Sequence, residues 1–267
     1  MKTKRSNYKF TSEEALCDAF LDTVPDTWQA YPETGGYDLV LVHKETGLQI
    51  AIEAKLRLNP KVLRQVLPSS FMSADIGPDA RAVLVSEASE DMEFLARHTG
   101  VTVIRLHKPD PGARRRFLDG NDGAEWQSFP KLPVAKSGKQ YVSVYERDRW
   151  FDLSPMHRIP LPEYIPQVKA GRPSPLILSD WKISSMKMIY WLEKNGSVTR
   201  QNFRNLRLNA TFWMDHKHLQ QGPNRGEWVP GRLFDRQKSK LTAAHPEAWA
   251  SIQEDYPKWS KDIMRSR

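Results

Sequence analysis

The sequence has little of what stabilises a secreted protein or anchors a protein in a membrane. Cys17 is the only cysteine in 267 residues, which excludes an internal disulfide framework and any zinc site with several cysteines. No apolar run approaches the roughly 20 residues that a helix needs to cross a bilayer. The first residues also lack the apolar stretch of a secretory signal. We therefore expect a soluble, cytoplasmic protein with no membrane partner.

Charge is distributed unevenly along the chain. Lys and Arg number 40 against 32 Asp and Glu, a net charge of +8. Residues 1–106 contain 12 basic and 15 acidic side chains, a net charge of −3, whereas residues 107–267 contain 28 and 17, a net charge of +11. The second value favours a polyanion such as nucleic acid as the partner, with a solubilising surface as the alternative. The length itself is typical of about two domains.

Residues 1–106 alternate between helical and strand patterns. The predicted elements are a helix over 10–21, strands over 28–31, 37–42 and 48–56, a helix from 59 to about 72, a strand over 81–86, a helix over 90–98 and a strand over 101–106. The order α, β, β, β, α, β, α, β predicts an α/β sandwich with a mixed sheet.

Beyond residue 107 the pattern becomes irregular and then helical. Residues 109–133 and 155–175 are rich in Pro and predict no regular element, apart from a candidate strand over 141–145 between them. The predicted later elements are helices over 181–194, 200–206 and from 209 or 211 to about 220, a hairpin tip at 228–234 and a helix over 245–255. This region predicts a mostly helical second domain.

The residues with chemical potential lie on the first predicted hairpin. Strand side chains alternate between faces, so Glu53 and Lys55 point away from the apolar face that carries Ile52 and Ala54. Hairpin pairing brings Asp38 near Glu53. Carboxylates bind a hard divalent cation, and a nearby ammonium can position water or stabilise charge on a phosphoryl group. The alternative is a solvated salt bridge between Glu53 and Lys55 on an exposed sheet.

Two segments, 36–40 and 49–55, resemble the PD-(D/E)XK nuclease superfamily, which has the restriction-endonuclease-like fold. They read Gly-Tyr-Asp-Leu-Val and Gln-Ile-Ala-Ile-Glu-Ala-Lys, and the element order matches the αβββαβ core of that family. The resemblance implies that Asp38 and Glu53 bind a metal and that Lys55 is the catalytic lysine. The chain has Gly36-Tyr37 where the family name has a proline before the aspartate.

The resemblance implies further site residues and a cofactor. Many members place an acidic residue on the first helix, which is Glu14 or its neighbour Glu13 in this sequence, and some have a glutamine on the helix after the motif strand, which corresponds to Gln65. The backbone carbonyl of Ala54 would be a further metal ligand. The implied catalytic set is therefore Asp38, Glu53, Lys55, Glu14 and Gln65. The metal would be Mg²⁺, with Mn²⁺ able to replace it.

The helices and hairpin of residues 176–267 resemble a winged-helix domain, with residues 210–220 in the position of the recognition helix. This resemblance implies docking on DNA. Candidate phosphate contacts are Arg204, Arg207, Lys217, Arg225, Arg232, Arg236, Lys238 and Lys240. Winged helices also bind proteins, so a protein partner is the alternative. Trp213 is expected in the core. His216 and His218 would not share a face of a helix, which argues against a metal there.

The sequence thus predicts three regions: a PD-(D/E)XK nuclease domain over residues 1–108, a linker or irregular extension over 109–175, and a basic winged-helix-like domain over 176–267. The predicted function is metal-dependent hydrolysis of DNA, most simply as an endonuclease. A homodimer or two sequential nicks would cut both strands. The alternatives are a DNA-binding or regulatory protein that does not cleave, and a nuclease subunit of a larger assembly such as a heteromeric transposase. Small basic nucleases of this build are frequent in phages and mobile elements.

Overall fold

The chain forms two compact units. A computed structural model describes residues 9–67, 76–108, 125–133, 149–166, 169–171 and 178–264. The first unit comprises Met1–Leu161 and Val168–Ser174, and the second comprises Pro162–Gln167 and Pro175–Arg267. The region predicted as a linker, residues 109–175, is therefore shared between the two units.

The first unit contains three described helices and eight strands. The helices are α1 (Glu13–Leu21), α2 (Pro60–Val66) and α3 (Glu90–His98). The strands are β1 (Trp28–Thr34), β2 (Tyr37–His43), β3 (Gln49–Arg57), β4 (Ile76–Gly77), β5 (Ala80–Glu87), β6 (Val101–His107), β7 (Gln127–Phe129) and β8 (His157–Arg158). The end of the second predicted helix, up to residue 72, and the predicted strand over 141–145 fall outside the described residues.

A six-stranded mixed sheet organises the first unit, in the order β1-β2-β3-β5-β6-β7. The pairs β1/β2, β2/β3 and β6/β7 are antiparallel, whereas β3/β5 and β5/β6 are parallel. The α/β class predicted from the sequence is confirmed. The strand β7 lies within residues 109–133, for which no regular element was predicted. It pairs antiparallel with β6 and so adds one strand at that edge of the sheet.

The central strand β3 is buried on both faces. Its even-numbered residues Ile50, Ile52 and Ala54 pack in a core shared with α1, which contributes Leu16 and Phe20. The opposite face carries two separate apolar clusters. One contains Val83, Val85, Val101 and residues of α2 and α3, and the other contains Val40, Ala51 and Ile159. The salt-bridge alternative requires Glu53 and Lys55 to lie on an open, solvated sheet face. The packing on both sides of the sheet shows that they do not.

Residues 149–161 pack against the sheet rather than connecting two domains. The side-chain amide of Gln49 donates to the carbonyl of Ile159 at 3.0 Å and accepts from the N–H of the same residue at 2.9 Å. Asp79 accepts a hydrogen bond from the N–H of Gln49 at 2.7 Å and forms an ion pair with Arg158 at 2.7 Å. These contacts fix this segment beside the start of β3.

The second unit is built from six described helices and a small sheet. The helices are α4 (Asp180–Asn195), α5 (Arg200–Asn205), α6 (Ala210–Asp215), α7 (Phe234–Ala244), α8 (Pro246–Glu254) and α9 (Tyr256–Met264). The strands are β9 (Val198–Thr199), β10 (Leu219–Gln221) and β11 (Glu227–Pro230), in the order β10-β11-β9. In the part of the chain that the structure describes, no helix is long and apolar enough to span a bilayer.

Two predictions for the second unit are wrong. The helix predicted to run to about residue 220 ends at Asp215, because Lys217 has a left-handed φ of +56° and the chain then enters β10. The hairpin tip predicted at residues 228–234 instead lies at 222–226, since Gln221 pairs with Trp228. Phe234, the last residue of the predicted hairpin tip, begins α7, and no element was predicted for residues 235–244.

The core of the second unit is rich in aromatic residues. Trp213 is fully buried, as expected, and Trp191 is also buried, whereas Trp181 is 38% exposed and stacks on Trp213. Lys187 is buried on α4, where its ammonium contacts both carboxylate oxygens of Glu163 at 2.7 and 2.6 Å. Residues 162–167 therefore supply the counter-ion of a buried charge in the second unit.

Candidate functional site

The candidate site begins where β2 and β3 stop pairing. The last paired residues are Leu39 and Ile52, and Asp38 lies one step further, opposite Glu53. The carboxylate of Asp38 accepts a hydrogen bond of 2.8 Å from the backbone N–H of Ala54. A side chain thus replaces the backbone partner that β2 no longer provides, and this bond fixes Asp38 at the carboxyl end of β3.

The ammonium of Lys55 lies at the centre of a group of oxygen atoms. Its Nζ atom is 3.2 Å from Glu13 Oε2, 3.2 Å from Asp38 Oδ2 and 3.1 Å from Glu53 Oε1. It also donates a hydrogen bond of 2.8 Å to the carbonyl oxygen of Ala54. We call these four oxygens and Lys55 the Lys55 cluster. The cluster joins α1, β2 and β3 at one point.

Burial governs the charges of the Lys55 cluster. Glu53 is 6% exposed, and its burial, followed by the charge of Asp38, raises its pKa against the opposing effect of Lys55. Burial alone would lower the pKa of Lys55, but the charges of Asp38 and Glu53 raise it above its ordinary value. One cation is thus shared by several carboxylates, and their mutual repulsion is only partly compensated.

Glu33 is a further acidic residue beside the Lys55 cluster, and it was not predicted as a site residue. The register of β1 and β2 places Glu33 across from Asp38, between two paired positions. Glu33, Asp38 and Glu53 therefore occupy one row across three strands. Burial, followed by the charge of Asp38, raises the pKa of Glu33 to about 7. Its carboxylate accepts a hydrogen bond of 3.2 Å from the N–H of Gly171.

The sequence does contain a signal for the position of Glu33. Gly35 and Gly36 form the two-residue turn between β1 and β2, with φ values of +64° and +85°, and adjacent glycines favour this kind of hairpin turn. Counting back from a two-residue turn pairs Thr34 with Tyr37 and sets Glu33 opposite Asp38. A Cβ atom on Gly35 would also lie 2.6 Å from the side chain of Ile159, so any other residue there would strain the backbone and force Ile159 to shift.

The sequence offered Glu14 or its neighbour Glu13 as the acidic site residue of α1, and the structure distinguishes between them. Glu13 contacts Lys55, whereas Glu14 lies 2.9 Å from the ammonium of Lys169, which is also 3.2 Å from Asp18. Adjacent helical residues point about 100° apart, so only one of them can face a given neighbour. Glu13 therefore occupies the place in which Glu14 was predicted.

The other predicted site residues have different surroundings. Gln65 is an exposed residue near the end of α2. The carbonyl of Ala54 belongs to the Lys55 cluster, as described above. Cys17 was not predicted as a site residue. It is fully buried, and burial followed by the charge of Asp38 raises its pKa to about 12. A thiol with such a pKa is not ionised at neutral pH, so Cys17 is unsuited to act as a nucleophile.

The donor chemistry of the Lys55 cluster suits a hard divalent cation, but the donor positions suit the ammonium. Three carboxylates and a carbonyl are the oxygen ligands that Mg²⁺ and Mn²⁺ prefer. However, among the residues that the structure describes, no three His, Cys, Asp or Glu side chains are placed to hold a metal ion together. The oxygen atoms are instead spaced around Nζ at hydrogen-bonding distances.

The candidate nucleic-acid contacts lie on the surface of the second unit. Seven of them are exposed: Arg204, Arg207, Lys217, Arg225, Arg232, Arg236 and Lys240. Lys238 is partly buried and forms an ion pair with Glu193. Arg207 and Lys217 flank α6, and both have a left-handed backbone. Arg225 lies in the hairpin turn between β10 and β11.

His216 and His218 do not lie on a helix, although the prediction that they share no helical face assumed one. These residues follow the end of α6, and their rings stack at 5.9 Å with an angle of 11°. The correction does not create a metal site, because the described residues there include no group of three ligands.

A cavity in the first unit is formed by residues outside the Lys55 cluster. It has a volume of about 500 Å³ and is lined by α3 together with Arg149 and Phe151. Its walls carry Glu90 and Glu93 as well as Arg97 and Arg149, so its charge is mixed and indicates no single class of ligand. None of the predicted site residues is among the described residues that line this cavity.

Comparisons of the chain with family models, with curated proteins and with solved structures found no match.

Proposed function

We propose that the chain is a metal-dependent nuclease of the PD-(D/E)XK type that hydrolyses phosphodiester bonds in DNA. The observation that carries the proposal is the Lys55 cluster, in which Glu13, Asp38 and Glu53 meet a lysine at the carboxyl end of the central strand. These residue types and this order along the chain are those that the resemblance implies, with Glu13 as the acidic residue of the first helix.

The arrangement of the sheet supports the proposal. The elements α1, β1, β2, β3, α2 and β5 follow the αβββαβ order, and β3 pairs with β2 on one side and with β5 on the other. Parallel strands such as β3 and β5 direct their carboxyl ends to one edge, where ligands commonly bind in α/β sheets. The proposed restriction-endonuclease-like core therefore rests on both the residues and their topology.

Each residue of the cluster has a role in the proposed reaction. Asp38, Glu53, Glu13 and the carbonyl of Ala54 would hold Mg²⁺ or Mn²⁺, which would polarise the phosphate and lower the pKa of a bound water. The ammonium of Lys55 can donate a hydrogen bond to a phosphate oxygen and so stabilise the charge that develops there. The bond from the N–H of Ala54 orients the carboxylate of Asp38.

For the second unit we propose a winged-helix-like domain that binds DNA. The order α4, β9, α5, α6, β10, β11, with β11 between β9 and β10 in the sheet, supports this assignment. The short helix α6 would lie in the recognition position, with Arg207 and Lys217 at its ends. Arg225 would contact the backbone from the hairpin turn. A protein partner for this surface remains the alternative.

A cleavage assay tests the nuclease proposal. Wild-type protein is incubated with supercoiled and linear DNA in Mg²⁺ or Mn²⁺, beside Lys55→Ala, Glu53→Ala and the control Lys169→Ala. We expect each cluster variant to lose at least about a hundredfold in rate, because it removes a charge from the reacting centre. Lys169→Ala removes an equal charge outside the cluster and should cleave normally. Cleavage that survives both cluster substitutions would exclude the proposed site.

A second candidate function is DNA binding without cleavage, and the position of Lys55 favours it. An ammonium that compensates three carboxylates is also a stable structural arrangement, and the described acidic residues are not placed to hold a metal. The same assay separates the two functions. A wild-type protein that shifts the mobility of DNA but leaves it intact in both metals would be a binding protein.

A further inference from the structure

Lys55 contacts the same atoms that the proposed function assigns to the metal. The oxygens within 3.2 Å of Nζ are Glu13 Oε2, Asp38 Oδ2, Glu53 Oε1 and the carbonyl of Ala54. Of the five members of the Lys55 cluster, four are the proposed ligands and the fifth is the cation among them. The ammonium of Lys55 therefore lies at the proposed metal position itself.

One position cannot accommodate both cations. Mg²⁺ requires its oxygen ligands at about 2.0–2.1 Å in nearly octahedral geometry, whereas the same oxygens now lie 2.8–3.2 Å from the nitrogen of Lys55. An ammonium at this distance would also repel a divalent ion strongly in a partly buried site. The carboxylates can converge on a metal only after Nζ has moved away from them.

We propose that Lys55 is an internal competitor of the divalent cation: its ammonium occupies the proposed metal position in the metal-free protein and must be displaced when the metal binds. This inference rests on the proposed function. It gives Lys55 two opposite effects, since the residue that assists the reaction also weakens the binding of the metal. It also gives the metal-free protein a built-in counter-ion for three converging carboxylates.

The proposal predicts how the metal affinity depends on position 55. Lys55→Met keeps much of the aliphatic side chain but removes the competing charge, so we expect the variant to bind Mn²⁺ at least about tenfold more tightly than the wild type. Without metal its carboxylates repel one another uncompensated, so its melting temperature should fall in EDTA and rise with Mn²⁺ by more than that of the wild type.

Lys169→Met provides a matched control. Lys169 also pairs with acidic residues of α1, at 2.9 Å from Glu14 and 3.2 Å from Asp18, but it is not among the contacts of the four cluster oxygens. Its side chain is 58% exposed, against 22% for Lys55, so salt screens its charge more effectively. We expect the affinity of this variant for Mn²⁺ to stay within about twofold of the wild type.

The experiment is a calorimetric titration of the full chain with Mn²⁺ after treatment with EDTA, followed by a cleavage assay on the same samples. Tighter binding by Lys55→Met but not by Lys169→Met supports the proposal. Unchanged or weaker binding by Lys55→Met overturns it, even where the wild type cleaves DNA. If Lys55→Met binds Mn²⁺ more tightly but the wild type does not cleave DNA, the competition between Lys55 and the metal is supported and the nuclease function is rejected. If Lys55→Met does not fold in EDTA, Lys55→Gln, which can still donate hydrogen bonds, is compared in the same way.

Discussion

Glu33 shows how a single residue responds to the charges around it. Its carboxyl lies in a row with Asp38 and Glu53, and its pKa is raised to about 7 from an ordinary value of 4.5 by burial and then by Asp38. Between these two pH values the folded protein retains a proton that the unfolded chain releases. The free energy of unfolding should therefore decrease as the pH rises from about 4.5 to about 7.

Substituting Glu33 by Gln should remove this pH dependence. The amide keeps an oxygen that can accept the hydrogen bond from Gly171 but carries no charge to repel Asp38. In EDTA we expect Glu33→Gln to melt about 2–4 °C above the wild type at pH 8, a value reduced for the partial exposure of the side chain, and to match it near pH 5. An equal difference at both pH values would show that the charge of Glu33 is not the cause.

Single residues of the site differ in how well the sequence predicts them. Strand alternation and hairpin pairing are local rules, and they were sufficient to bring Asp38, Glu53 and Lys55 together. The position of Glu33 depends on the register of the hairpin β1/β2, and the predicted first strand of that hairpin stopped at residue 31, three residues before β1 ends. The choice between Glu13 and Glu14 depends on the rotation of α1 about its axis, which packing determines and a local pattern does not.

Helix α4 contributes the buried lysine of an ion pair, and substitutions of its two partners should have opposite effects. Lys187 is almost fully buried, whereas the side chain of Glu163 is 54% exposed. The ammonium also lies 5.7 Å from the ring centres of Tyr164 and Trp259. Removing the carboxylate would leave a buried cation without its counter-ion, whereas replacing the lysine by an apolar residue would remove the cost of burying a charge.

We therefore expect Glu163→Ala to lower the free energy of unfolding of the second unit by about 1–2 kcal/mol, below the value for a fully buried pair because Glu163 is half exposed. Lys187→Met should be neutral or stabilising. Hydrogen exchange of the α4 amides at increasing urea concentration measures the change in the free energy of unfolding for each variant. A larger loss for Lys187→Met than for Glu163→Ala would contradict this account of the pair.

Elements with signals at both ends were predicted best. The helix α3 was predicted with its observed bounds, since Ser89 caps its start and Glu90 and Asp91 occupy its first turn. Thr199 likewise caps α5, which begins at residue 200 as predicted. The end of α6 was missed because Lys217, a residue that gives no stop signal, adopts the left-handed conformation usually left to glycine.

At the scale of the whole molecule, the boundary of the second unit differs from the predicted one in a way that affects stability. The unit includes residues 162–167, and these carry the partner of Lys187. A fragment of residues 176–267, the domain that the sequence predicts, lacks Glu163, whereas a fragment of residues 162–267 retains it. The proline-rich composition of this segment gave no indication that it belongs to the later core.

The two fragments should differ in thermal stability. We expect the fragment 162–267 to melt at least about 5 °C above the fragment 176–267, because about 1 kcal/mol shifts a domain of this size by 4–8 °C. Circular dichroism of the purified fragments measures the difference. Equal melting temperatures would show that residues 162–175 add nothing to the second unit.

The longer fragment also tests the proposed binding of DNA. We expect duplex binding to weaken steeply with salt, and Arg225→Ala to reduce the slope of log K against log salt by about 1 because one phosphate contact is lost. Fluorescence anisotropy at several salt concentrations provides the slopes. A fragment that does not bind duplex DNA would assign its basic surface to a protein partner.

The most direct test of the account compares two neighbouring residues of α1 in a cleavage assay with Mg²⁺ or Mn²⁺. Glu13→Gln and Glu14→Gln remove the same charge from adjacent positions, but only Glu13 belongs to the Lys55 cluster. We expect the wild type to cleave DNA, Glu13→Gln to lose at least about thirtyfold in rate and Glu14→Gln to stay within about threefold. A wild type that does not cleave, or a greater loss for Glu14→Gln, would contradict it.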